Sequence, residues 1–348
     1  MAILYVTDQG AVLTKRGNRL VVEKQGKVIH WLHAFRVEQV ILLGNVSLSP
    51  TAVAFLLAQG IDTVFLSYYG KYRGRLVAHL GKNIELRRRQ FARLADPAFA
   101  LSLARACVAA KIDNCRVLLR RQNRELQSDA VTQVLHQLRV LGRKAAAADS
   151  LETLLGLEGS AAAAYFGAFP HLLKNPDLPF EGRSRRPPRD PVNVLLSLGY
   201  TFLANTVHTQ VMTAGLDPYL GALHQPEYGR PSLVLDLMEE FRPVLVDSLV
   251  ISLVNRRIIR PGDFFRPEEQ EPAAFDFAAP PVKEGYPILL AHTGMKKLIL
   301  HFERRLASRI LYLPQARRLS FRDVILAQVR AFIRALEEDV PYQPFLVR

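Results

Sequence analysis

The hydrophobic pattern changes character about eighty residues into the chain. Before that point, short apolar runs alternate with turn sequences such as Asp8-Gln9-Gly10, a pattern typical of β-strands. One helix is also expected, because Ser49 can cap it and Pro50 suits its first position. The predicted strands are Ile3–Val6, Arg19–Glu23, Val28–Trp31, Gln39–Leu43 and Ile61–Ser67. Residues 1–80 are therefore predicted to form a small β-rich domain.

From about Ile84 onward, apolar residues recur at helical spacing. Residues 81–95 are predicted to be a linker, and residues 96–348 a helical catalytic domain. A Pro-rich, locally acidic segment, residues 261–287, is expected to be an exposed loop or a partly disordered insert. The main predicted helices are Pro97–Gln127, Ala130–Ala148, Asp190–Gly215, Val246–Arg257, Ile288–Tyr312 and Phe321–Glu338. The fold class is thus α+β, with a small N-terminal β-rich domain followed by a larger all-α domain.

The charge balance favours an anionic partner. Among 348 residues, 46 are Lys or Arg and 32 are Asp or Glu, which gives a net charge of +14. Nucleic acid fits this excess better than a membrane, because no long uncharged apolar run is present. The first residues lack the features of a signal peptide, and Cys107 and Cys115 match no zinc spacing. We therefore expect a cytoplasmic protein with reduced thiols and no membrane association.

The most informative stretch is residues 221–243, GALHQPEYGRPSLVLDLMEEFRP. His224 precedes a predicted helix that carries Asp236, Glu239 and Glu240 on the side opposite an apolar stripe. A turn at Gly229 to Pro231 allows His224 to fold back over these acids. Imidazole and carboxylates in a basic protein suit a divalent-metal site acting on nucleic acid. For an arbitrary helix, a solvated acidic face is the more common interpretation, and His224 could equally be a hydrogen-bonded loop residue.

A second signal is Glu158, the one acid inside a run of small and apolar residues at 156–164. A carboxylate in such surroundings requires a partner. That partner is either a metal ion or one of the many arginines, and the residues themselves leave both open.

Three segments resemble, in the same order, motifs of the Cas1 family, the CRISPR-associated adaptation endonucleases/integrases. They are EGSAAAAYFGAF at 158–169, RRPPRDPVNVLLSLGY at 185–200 and GLDPYLGALHQPEYGRPSLVLDLMEEFRP at 215–243. The resemblance implies that Glu158, His224 and Glu239 bind Mg²⁺ or Mn²⁺. It places Asp236 beside them as an additional catalytic acid.

The resemblance also implies an activity and partners. Members of the family work as homodimers with a small protein, Cas2, and insert short foreign DNA fragments into a CRISPR array as new spacers. In this reaction a 3′-hydroxyl attacks a phosphodiester of the repeat, and with water as nucleophile the same site is a nuclease. Two alternatives are a stand-alone metal-dependent nuclease on branched or single-stranded DNA and a DNA-binding scaffold without catalysis.

Candidate DNA contacts lie near these motifs. Arg185 and Arg186 belong to a basic loop, and Arg230 stands in the turn after His224, so each is a candidate for phosphate binding. Tyr200 is suited equally to stacking on DNA and to packing in the core.

The charge excess predicts that DNA binding is largely electrostatic and weakly sequence-specific. Each neutralised phosphate releases counterions, so affinity should fall at least about tenfold between about 50 and about 200 mM salt. Fluorescence anisotropy with duplexes of unrelated sequence measures this. Affinity that does not change over this range contradicts the prediction.

Overall fold

The computed structural model describes residues 2–78, 83–184, 187–266 and 288–347. Two compact units are present. The first comprises Met1–Leu80 and Asp263–Lys296, and the second comprises Gly81–Gly262 and Lys297–Arg348. This division differs from the prediction of one uninterrupted helical domain over 96–348, because the described residues 263–266 and 288–296 belong to the first unit. The predicted linker at 81–95 contains a helix, Ile84–Ala95, which belongs to the second unit.

The first unit contains two four-stranded sheets. Their strands are β1 (Ala2–Val6), β2 (Ala11–Arg16), β3 (Arg19–Lys24), β4 (Lys27–His33), β5 (Val37–Leu43), β6 (Val46–Leu48), β7 (Asp62–Leu66) and β8 (Tyr72–Leu76). One sheet has the order β1-β5-β7-β8, with the first three strands parallel. The other has the order β4-β3-β2-β6. Helix α1 (Pro50–Ala58) is capped by Ser49, as predicted. The expectation of an N-terminal β region is confirmed.

The core of this unit forms where apolar side chains of both sheets meet α1. Leu13, Leu20, Val40, Leu42 and Leu56 are almost fully buried there. The edge strand β4 is different, since its residues Lys27 to Trp31 are all exposed. An apolar patch results, made of Val28, Ile29, Trp31 and the adjacent Phe35.

The predicted insert at 261–287 is only partly within the described residues, because 267–287 lie outside them. Its beginning is ordered: β9 (Phe264–Phe265) pairs antiparallel with β10 (Leu289–Leu290). The expectation of a loop is therefore wrong for these first residues.

The second unit is mainly helical. Its helices are α2 (Ile84–Ala95), α3 (Pro97–Leu126), α4 (Asp129–Ala146), α5 (Leu151–Ala168), α6 (Pro191–Thr213), α7 (Ser232–Met238), α8 (Ser248–Asn255), α9 (His292–Ala307, which begins in the first unit) and α10 (Phe321–Glu337). The predicted helix at 288–312 is too long, because β11 (Arg309–Tyr312) forms a hairpin with β12 (Arg317–Ser320). The region is thus not all-α. Among the described residues, no helix has the length and apolar character needed to cross a membrane.

The backbone between α7 and α8 remains helical but changes its winding. Residues Glu239–Phe241 form a 3₁₀ turn, and Arg242–Asp247 form a π-helical turn. A wide turn tolerates Pro243, which cannot donate a backbone hydrogen bond. All the acids of this segment are buried: Asp236, Glu239, Glu240 and Asp247. The solvated acidic face considered above is therefore absent from this structure.

Buried polar contacts hold the C-terminal residues against this segment. Asn114 of α3 donates to the backbone carbonyls of Glu240 (2.7 Å) and Phe345 (3.0 Å), and accepts from Val347 N–H (2.9 Å). The Glu240 carboxylate accepts from Tyr342 OH (3.0 Å) and Phe345 N–H (2.7 Å). Burial raises the pKa of Glu240 to about 8, and these hydrogen bonds only partly offset that effect. Residues 342–347 are thus fixed against Asn114 and Glu240.

Asn114→Ala should destabilise the protein by about 3 kcal/mol, because several buried backbone groups lose their partner and each costs about 1 kcal/mol or more. Urea unfolding measures the loss, and faster amide exchange at Val347 would show release of the chain end. Gln133→Ala, at an exposed position of α4, is the control. A loss no greater than that of the control contradicts the prediction.

Candidate active site

A single carboxylate, that of Asp236, holds the turn that brings His224 back over α7. Asp236, fully buried, accepts backbone N–H groups of Ala222 (2.5 Å), Leu223 (3.0 Å) and His224 (3.0 Å). Its Oδ1 is also 2.7 Å from His224 Nδ1. Gly221 is needed for this turn, since a Cβ there would lie 2.6 Å from Asp236 Oδ2. Asp236 therefore fixes both the backbone and the ring of His224.

This contact determines which imidazole nitrogen is left for chemistry. With Nδ1 carrying the hydrogen that faces Asp236, Nε2 keeps its lone pair for a cation. Asp236 was predicted to act as a catalytic acid beside the metal. Its enclosure and its backbone bonds instead make it a positioning residue for His224, and they separate it from solvent.

Glu158 and Glu239 meet at one ammonium group. Lys111 Nζ, on α3, contacts Glu158 Oε1 of α5 and lies 2.7 Å from Glu239 Oε2. Arg242 Nε lies 3.1 Å from the other oxygen of Glu239. The structure thus brings together two of the three predicted ligands. The salt-bridge alternative for Glu158 is realised in this structure, although with a lysine and not an arginine.

Local charges keep Glu239 ionised. Its burial favours the neutral acid, but Arg242 and Lys111 outweigh that effect and lower its pKa to about 2. His224 contributes in the same direction, which places the imidazole within electrostatic range of this carboxylate. Glu239 is therefore an anion throughout the physiological pH range.

Tyr200 is half-buried, and hydrogen bonding fixes its side chain. Its hydroxyl donates to Asp247 Oδ1 (2.6 Å), and Tyr165 donates to Asp247 Oδ2 (2.9 Å). Burial raises the pKa of Asp247 to about 6, against the opposing effect of these hydroxyls. The guanidinium groups of Arg242 and Arg183 lie 4.8 and 5.5 Å from the centre of the Tyr200 ring. Of the two roles considered for Tyr200, the structure favours packing.

The remaining predicted DNA contacts are placed unequally. Arg230 Nη1 lies 3.3 Å from Glu227 Oε2 at the surface, so this guanidinium is accessible. Arg185 and Arg186 lie outside the described residues.

Sequence reasoning missed Lys111, Arg242 and Asp247. For Lys111 a signal was present: it lies four residues after Cys107 and four before Cys115, on the buried side of α3. A lysine on an apolar helix face needs anionic partners, as Glu158 needs a cation. Lys111, Arg242 and Asp247 line one pocket, together with Glu158, Tyr165 and Tyr200.

The donor set fits a hard divalent cation, since it consists of two carboxylates and an imidazole. Glu239 Oε2 is buried and, although close to Lys111 Nζ, takes part in no aligned hydrogen bond. That oxygen is thus able to accept a cation. Within the described ranges, no three His, Cys, Asp or Glu side chains are already gathered as a metal-binding group. Metal binding by these residues would therefore require local rearrangement.

Comparison with known proteins shows the family of this chain. Residues 4–275 match the family model for the CRISPR associated protein Cas1. The chain is 38% identical over 351 residues to the CRISPR-associated endonuclease Cas1 3 of Thermus thermophilus, covering 100% of this chain and 98% of that protein. The chain belongs to the Cas1 family. The resemblance to the Cas1 family that the three sequence motifs indicated is thereby confirmed.

Solved structures extend the comparison. A casposase bound to its integration product superposes with a TM-score of 0.82 at 22% identity, over 99% of this chain and 93% of that one, which establishes a shared fold. A chain of a Cas6-RT-Cas1–Cas2 complex has a TM-score of 0.80 at 26% identity. There the match covers 100% of this chain and 36% of the other.

The contact between Asp236 and His224 gives a test of the site. Asp236→Asn places an amide NH₂ against backbone donors and should cost about 2 to 4 kcal/mol. It should also release the imidazole from a single tautomer, which two-bond ¹H–¹⁵N spectra of His224 would report. Asp177→Asn, an exposed position of the same unit, serves as the control. Unchanged stability together with an unchanged tautomer contradicts the positioning role.

Proposed function

We propose that this chain is a metal-dependent DNA endonuclease/integrase of CRISPR adaptation. The observation that carries the proposal is the convergence of Glu158 and Glu239 on one cation, with His224 held close by through Asp236. Family membership supports it, as do the names of relatives: an endonuclease, a casposase bound to integration product and a Cas1–Cas2 complex.

Glu158, His224 and Glu239 would hold Mg²⁺ or Mn²⁺, which when bound supplies polarisation of the phosphate and stabilisation of the leaving oxygen. In the reaction the 3′-oxygen of the incoming strand bonds to phosphorus, and the P–O3′ bond of the repeat strand breaks. The attacking 3′-hydroxyl gives up its proton to solvent, and the displaced 3′-oxygen takes up a proton from solvent to become a hydroxyl. Within the protein, Asp236 orients His224, and Arg242 keeps Glu239 anionic.

The proposed partners are DNA and a Cas2 protein. The net charge of +14 supports binding of prespacer fragments and of the repeat. Arg230 is accessible to phosphate, and Arg185 and Arg186 remain candidates from the sequence.

Glu158→Ala, His224→Ala and Glu239→Gln should each lower strand transfer and cleavage at least about 100-fold, because each removes a proposed metal ligand. Glutamine is chosen at 239 since it retains a polar group beside Arg242 and Lys111. The measurement is a gel assay with Mn²⁺, a labelled fragment and a supercoiled target containing the repeat.

Glu152→Ala, on an exposed position of the same helix as Glu158, should keep parental activity. Cutting without covalent joining of the fragment would favour the stand-alone nuclease. Parental activity of Glu239→Gln would contradict the proposed ligand set, and retained activity of all three variants would refute the site.

We also propose a homodimer formed by the first unit. The support is the exposed apolar patch on edge strand β4, made of Val28, Ile29, Trp31 and Phe35, because such surfaces are typical of subunit interfaces.

Light scattering at micromolar concentration should give twice the chain mass. Trp31→Glu combined with Phe35→Glu should give the monomer mass, whereas Val140→Glu, at an exposed position of α4, should not. A monomeric parent contradicts the proposal.

A further inference from the structure

Lys111 occupies the space between the two carboxylates of the proposed metal site. Its ammonium contacts Glu158 Oε1 and lies 2.7 Å from Glu239 Oε2. The side chain is only 13% exposed, and its partners are 22% and 4% exposed. One buried cation thus bridges two acids that belong to different helical segments, and it draws them together.

Charge balance makes this ammonium a competitor of a divalent ion. Glu158 and Glu239 carry two negative charges, and Lys111 and Arg242 balance them with two positive charges. Adding a divalent ion to this arrangement would leave an uncompensated charge of about +2 in a largely buried place, which is costly. The ion would also have to contact the oxygens that Lys111 already contacts.

Lys111 is the cation that can leave. Arg242 faces the other oxygen of Glu239 and lies against the ring of Tyr200, so its guanidinium is held on two sides. A lysine ammonium is a point charge on a flexible four-carbon stem. The pocket lined by Lys111, Glu158, Tyr200, Arg242 and Asp247 provides space beside it.

We propose that Lys111 is a built-in counter-ion that keeps Glu158 and Glu239 together and competes with the divalent ion for them, so that it sets the metal affinity of the site. The inference rests on the proposed function, since it takes the same residues as ligands. Lys111, on α3, thus controls when the site binds its metal.

The test compares two substitutions with opposite expected effects. Lys111→Met keeps the length of the side chain and removes the competing charge, so Mn²⁺ should bind at least about tenfold more tightly by calorimetry. In chelator, the same variant should melt at a lower temperature than the parent, because two buried carboxylates lose their cation. Lys111→Arg keeps the positive charge on a guanidinium, which can form two parallel hydrogen bonds with a carboxylate. Because it should hold the carboxylates more strongly than lysine does, it should weaken Mn²⁺ binding.

Lys144→Met is the matched control. Lys144 is exposed on α4, and its substitution changes the net charge by the same amount, so Mn²⁺ affinity should stay parental. Mn²⁺ binding to Lys111→Met that is equal to or weaker than parental binding overturns the inference. If the methionine variant does not fold, Lys111→Arg decides: weaker binding than the parent supports competition, and equal or tighter binding refutes it.

The same titrations separate the two proposals. A parent chain that binds no Mn²⁺ at millimolar concentration refutes the proposed metal site itself. A parent that binds Mn²⁺, with variants that do not differ from it, refutes the role of Lys111 and leaves the metal site in place.

Discussion

The structure depends on the burial of four carboxylates in one helical segment, residues 236–247. Buried charge is costly unless it is paired or hydrogen-bonded, and each acid meets this requirement in its own way. Asp236 accepts backbone N–H groups, Glu239 faces Lys111 and Arg242, and Asp247 accepts two tyrosine hydroxyls. Glu240 pairs with the C-terminal residues, and burial raises its pKa to about 8. These different solutions let neighbouring acids have different roles.

One helix, α3, contacts both of the adjacent acids Glu239 and Glu240, the first through its side chain and the second through its backbone. Lys111 faces Glu239, and Asn114, three residues further along the same helix, binds the backbone of Glu240. Side chains three apart on a helix share a face. Rotation of the segment about its own axis would therefore remove both contacts together. The pairing with α3 fixes the direction in which Glu239 points, and hence the geometry of the site.

The sequence was sufficient for the features that depend on local rules. Caps such as Ser49 and Asp190, and the change from strand pattern to helical pattern, were predictable because backbone hydrogen bonding at a helix end involves near neighbours. Glu158 was recognisable as a carboxylate in apolar surroundings, but its partner was not. Lys111 is 47 residues away in the chain, and no spacing rule connects them. The assignment of residues 263–266 and 288–296 to the β-rich unit is likewise a tertiary effect.

The sequence pattern assigned the acids of this helix to solvent, and that prediction fails for a physical reason. Helical periodicity identifies an apolar face and assigns the remaining residues to solvent. Here α3, α6 and residues 342–347 pack against the segment, so acids opposite the apolar stripe are buried as well. A helix surrounded in this way can retain carboxylates only where neighbouring elements supply cations or donors. Acidic residues on such a helix therefore indicate a polar network in the neighbouring elements, and Lys111, Asn114 and Tyr342 are the parts of that network found here.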